Sequence, residues 1–98
     1  MIKTSSDLAD YLNTLIKSST KKGRTFDADI FIRLRHKIIS FKSSNKNMNF
    51  SEDEIVRQYI NELIEIGDSY FAVDRDDLGI MYNDVADILS GLLKKFHE

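Results

Sequence analysis

Four stretches of the chain repeat apolar residues three and four positions apart, and no proline interrupts any of them. That spacing gathers side chains on one face of a helix, so it predicts an all-α fold, a small bundle of about four amphipathic helices in a single domain over 1–98. Breaks must then come from capping residues and polar loops. In the first stretch Leu8, Tyr11, Leu12, Leu15 and Ile16 recur at helical spacing behind the N-capping candidates Thr4 to Ser6, with Asp7 at the positive end, and the spacing predicts a helix over 5–18. Ser18-Ser19-Thr20-Lys21-Lys22-Gly23-Arg24 is a polar, basic connection.

The second stretch starts near Thr25 and places Phe26, Ile30, Phe31, Leu34, Ile38 and Phe41 on one helical stripe. The run Ile30-Phe31-Ile32-Arg33-Leu34-Arg35 also alternates as a strand would, but the length of the segment favours helix. Ile32 and Ile39, seven apart and off that stripe, make the helix apolar on two sides, which suits a central position, a docked partner or a homodimer seam. A polar loop, Ser43 to Asn49, follows.

The third stretch opens with Ser51-Glu52-Asp53-Glu54, a capping box, and with Phe50 and Ile55 placed to staple it. Ile55, Val56, Tyr59, Ile60, Leu63, Ile64 and Ile66 then carry the helix to Gly67, which suits a left-handed C-cap. Tyr70-Phe71-Ala72-Val73 reads as a short apolar bridge. Beyond it Asp74-Arg75-Asp76-Asp77 opens a last helix with Met81, Val85, Ile88, Leu89, Leu92 and Phe96 on its stripe and Lys94 and Lys95 at its negative end.

Charge is unevenly distributed. Residues 1–49 hold ten Lys and Arg against four Asp, a net +6, whereas residues 50–98 hold four cations against twelve anions, a net −8. The listless total of −2 therefore conceals a dipolar chain, a property that favours electrostatic steering toward a charged partner. Composition narrows the chemistry as well. With no cysteine there is no disulfide, thiolate metal site or thiol nucleophile, and the composition suits a reducing cytoplasm. The N-terminal Met-Ile-Lys-Thr-Ser-Ser lacks the apolar core of a secretory signal, and no segment has the composition of a membrane span.

Motifs for catalysis and cofactors are missing. Asp74-Arg75-Asp76-Asp77-Leu78-Gly79 begins like a calcium loop but puts Leu78 at the fifth position and Val85 at the twelfth, where oxygen ligands are required. His36 and His97 have no second histidine at helical spacing, no nucleophile elbow is present, and Gly23, Gly67, Gly79 and Gly91 are too dispersed for a phosphate loop. The reading is therefore a non-enzyme with no metal and no cofactor. Lys21, Lys22, Arg24, Arg33, Arg35, Lys37 and Lys42 could touch phosphates, but the sequence pI of about 5.6 argues against nucleic acid as the partner. The more informative set is acidic. On the last helix Asp84 and Asp87 fall opposite the apolar stripe, Asp68, Asp74, Asp76 and Asp77 precede them, and the six can share one surface suited to a basic protein.

The stretch from Tyr70 to Gly79, followed by Val85, Ile88, Leu89, Lys94, Lys95 and Phe96, resembles the C-terminal part of colicin D-type immunity proteins, and is similar to small helical immunity proteins of contact-dependent growth inhibition systems. The likeness covers about a quarter of the chain, and the basic N-terminal half departs from it. It implies a cytoplasmic inhibitor that binds a cognate cationic nuclease toxin domain, commonly one cleaving tRNA, and covers its active site with acids that stand in for RNA phosphate. The expected contact set is Asp68, Asp74, Asp76, Asp77, Asp84 and Asp87, with an exposed aromatic such as Tyr70, Phe71 or Tyr82 as anchor. The competing expectation is a small nucleic-acid-binding regulator or phage-type inhibitor working through the basic half.

Overall fold

A computed structural model describes the backbone at 4–44 and 50–96 and the side chains at 4, 6–40 and 54–94. The fold is all-α, with four helices among the described residues: α1 (Ser5–Lys21), α2 (Thr25–Ser44), α3 (Phe50–Ala72) and α4 (Asp76–Phe96). They form two helical hairpins, α1 with α2 in a unit spanning Met1–Lys46, and α3 with α4 in a unit spanning Asn47–Glu98. The strand alternative for the second stretch is overturned, because Phe31 and Leu34 are buried at helical spacing while the intervening Ile32 is exposed. Helix α2 takes in Ser43 and Ser44, expected in the loop, while the rest of that loop at 45–49, the capping box at Ser51 with its Phe50 staple, the side chains of Phe41 and Phe96, and His97 lie outside the described residues or side chains.

In the first hairpin Thr4 caps α1. Asp7 N–H donates to Thr4 Oγ1 at 3.1 Å and Thr4 N–H donates to Asp7 Oδ2 at 3.2 Å, so two donors at the helix start are satisfied reciprocally. The helix then runs one turn beyond the expected Ser18 and ends in a Schellman turn. Arg24 N–H donates to Ser19 O at 2.8 Å and Gly23 N–H to Thr20 O at 3.1 Å, with Gly23 at φ 75°. Leu8 and Leu12 of α1 and Ala28, Ile30, Phe31, Leu34 and Ile38 of α2 are its buried apolar residues.

One residue of the expected α2 stripe is misplaced. Phe26 is 57% exposed, and Asp27 occupies the buried position beside it. At about 100° per residue, Asp27 projects with Phe31, Leu34 and Ile38, whereas Phe26 falls beyond the edge of that stripe. Burying the carboxylate is tolerable because Asp27 lies in the first turn, at the positive helix end, and is not left without a partner. Arg35 Nε, in contrast, is buried without a hydrogen-bond partner.

The second hairpin uses the same turn with a different residue. Arg75 N–H donates to Tyr70 O at 2.9 Å and Asp74 N–H to Phe71 O at 3.1 Å, a Schellman turn whose left-handed position is held by Asp74 at φ 61°. Helix α3 therefore continues through the expected apolar bridge and past Gly67, which is no C-cap. Gly67 is buried where the two helices meet: a Cβ there would stand 3.0 Å from Asn83 Oδ1 and 3.2 Å from Gly79 O. Gly79 is tighter still, since a Cβ would lie 2.7 Å from the Phe71 ring. Val56 and Leu63 of α3 and Leu78, Tyr82, Val85, Ala86, Leu89, Leu92 and Leu93 of α4 are buried, while Ile64, expected on the α3 stripe, is exposed. No helix described is long and apolar enough to cross a membrane.

Candidate functional site

The division into hairpins coincides with the division of charge. Asn47, Met48 and Asn49 are uncharged, so the first hairpin unit carries the full +6 and the second the full −8. Twelve of the sixteen acids thus belong to the second unit.

Helix α4 carries four of them. Asp76, Asp84 and Asp87 recur at eight and three positions, spacings that return to one helix face, and Asp77 borders it. All four are exposed, on the side opposite the stripe of Leu78, Tyr82, Val85, Leu89 and Leu93. Asp77 pairs with a cation: Arg75 Nε lies 3.4 Å from its Oδ1 and Arg75 Nη2 3.4 Å from its Oδ2. Asp74 is exposed in the turn, where its backbone makes the left-handed link. Asp68 belongs to α3; it is exposed and follows Gly67, so its Cα lies at the level of Gly79 and Asn83 on the neighbouring helix.

The expected aromatic anchors are corrected in part. Tyr82 is fully buried, so it is a core residue and offers no exposed contact. Its ring stacks on Tyr70, with centroids 5.7 Å apart and planes 29° apart, which leaves Tyr70 half-buried. Phe71 is also half-buried, its ring laid against the bare backbone of Gly79. The physical reason is the length of α3: because the helix extends to Ala72, these aromatics face α4 and are not strung along a bridge.

The apolar element the sequence reading missed is Ile80. It is 53% exposed in the midst of the acidic face, with Asp76 and Asp77 four and three residues before it and Asp84 four after it. Val73, 65% exposed, stands at the preceding turn. The available signal was the isolation of Ile80 from the α4 stripe, an apolar residue whose helical neighbours are acids. An aliphatic side chain ringed by carboxylates is an arrangement for contact: the acids attract a cationic surface and the apolar residue gains by desolvation once it is covered.

Elsewhere the expected homodimer seam is divided, with Ile32 exposed and Ile39 half-buried. On the basic hairpin Lys17, Lys21, Lys22 and Arg33 are exposed, and Phe26 is exposed near the turn. Among the described residues no three His, Cys, Asp or Glu are grouped so as to hold a metal ion. No family model matches the chain, and neither the curated proteins nor the solved structures yield a significant match.

Proposed function

We propose that this chain is an immunity protein that binds a cognate cationic nuclease toxin domain and blocks access to its active site. The observation that carries the reading is the exposed Ile80 set among Asp76, Asp77, Asp84 and Asp87 on a hairpin of net −8. The mechanism involves no bond making or breaking. A nuclease that grips RNA must present clustered Lys and Arg, so carboxylates at helical spacing compete for the same cations that would hold phosphate. Long-range attraction raises the encounter rate, and the short-range desolvation of Ile80 slows departure. Such an inhibitor acts in the cytoplasm, where its producer's own nucleic acid is at risk.

The test is protection of growing cells. A candidate cognate nuclease toxin domain is expressed with or without this chain. The expected result is survival with the native chain and loss of protection with Ile80→Arg, a variant whose exposed position preserves the fold, as circular dichroism would verify. Full protection by Ile80→Arg would remove the basis of the reading.

A second reading, binding of nucleic acid through the first hairpin, is favoured by the exposed Lys17, Lys21 and Lys22 near the exposed ring of Phe26. It predicts salt-sensitive gel retardation of a single-stranded RNA by the isolated chain, abolished by Lys21→Glu with Lys22→Glu.

A further inference from the structure

The two hairpins turn in the same way and carry opposite charge at the turn. The first turn presents Lys21, Lys22 and Arg24 with Lys17 one helical turn earlier, and it is followed by the exposed Phe26. The second presents Asp74, Asp76 and Asp77 around Arg75, which pairs with Asp77, a net −2, with Val73 and Ile80 exposed on either side of them. Three of the exposed large hydrophobic residues therefore border the two turns, and within a single chain all three remain open to solvent. Nothing in the helix geometry requires this. Each Schellman turn satisfies its own backbone, and a serine or glutamine would serve at all three positions.

We infer that copies of this chain associate through these turns, the basic turn of one copy seating Phe26 against Val73 and Ile80 beside the acidic turn of another. Both halves of the contact are present in the chain, opposite in charge and each with exposed apolar residues. A polyanion would match only the basic half, and would be repelled by the −8 hairpin carried with it. Two turns bury a small area, well under the roughly 1,200 Å² of a standard stable interface, so the association is weak, transient and sensitive to salt. Because it engages the acidic turn, it also competes with a cationic partner bound to α4. The inference is nevertheless independent of the immunity reading, since it concerns the isolated chain.

Sedimentation velocity of the full chain tests it. At about 20 mM salt the sedimentation coefficient is expected to rise with protein concentration, and at about 0.5 M salt to stay at the monomer value, because the screening length falls severalfold between the two. Lys21→Glu with Lys22→Glu, and separately Asp76→Lys with Asp77→Lys, should each sediment as monomers at low salt. Their equimolar mixture should associate again, because the two reversed turns complement one another. Phe26→Ser, which leaves every charge in place, should weaken self-association of the otherwise native chain at least severalfold. A native chain that stays monomeric at low salt up to several hundred micromolar overturns the inference, as does association of either charge variant to the native extent. Retention of a homopolymeric RNA by the native chain without any self-association would likewise overturn it and assign the basic turn to phosphate.

Discussion

The two hairpins reach the same reversal of chain direction by distributing their glycines differently. In the first, Gly23 takes the left-handed position at φ 75°, where a side chain is strained, and no glycine is needed between α1 and α2. In the second, the left-handed position falls to Asp74 at φ 61°, and the glycines Gly67 and Gly79 stand where α3 and α4 approach. Aspartate tolerates this conformation better than most residues, because its short polar side chain can bond locally. The comparison teaches that a glycine in a helical pattern has two physical uses, as a hinge for the backbone or as room for a neighbour. Spacing alone does not separate them.

The largest effect that would break the comparison is expected at the α3–α4 approach. Gly79→Ala forces the Phe71 ring to move, an overpacking cost of about 1–3 kcal/mol that outweighs the gain in helix propensity of about 1 kcal/mol. Urea unfolding followed by circular dichroism should show a lower midpoint. The internal control is Gly91→Ala, exposed in the same helix with nothing within 4 Å of the added atom, which should raise stability by roughly 0.5–1 kcal/mol. Equal responses at the two positions would mean that Gly79 is not there to admit the ring.

Smaller effects sharpen the contrast at the turns. Gly23→Ala should cost about 1–2 kcal/mol, the strain of a side chain in the left-handed region. Asp74→Gly should act in the opposite sense, stabilising by up to about 1 kcal/mol once the added freedom of the unfolded chain is counted. Both are read from the same denaturation curves, and a loss of stability in Asp74→Gly would show that the aspartate makes a contribution of its own at the turn.

How far these features were legible follows from which force decides each one. The four helices were readable because apolar periodicity is imposed by burial, and Leu8, Leu12, Phe31, Leu34, Leu63, Val85 and Leu89 are buried as that spacing requires. The end of α3 was not, since Gly67 serves the approach of α4, a contact with residues twelve and sixteen positions away. Phe26 was assigned to the stripe through its four-residue spacing from Ile30, although it lies past the edge and Asp27 occupies the interior. At the candidate site, Asp84 and Asp87 were readable as one face from spacing alone, whereas Asp76 was placed ahead of it and joins that face in the first turn of α4. Tyr82 was misread because an aromatic near acids suits an anchor as well as a core, and only its stacking on Tyr70 decides between them. Ile80 was passed over for lying off the apolar stripe, which is the property that makes it available to a partner.

The central claim is that the acidic face of α4 recruits a cationic protein, and the association rate measures it most directly. Stopped-flow mixing of the chain with a candidate cognate nuclease domain, at ionic strengths from about 20 to 500 mM, should show a rate that falls steeply as salt screens the attraction. Asp76→Asn with Asp84→Asn and Asp87→Asn should lower that rate about tenfold or more at the low-salt end and converge on the native rate at the high-salt end. Equal association rates for the two proteins throughout that range would contradict the account.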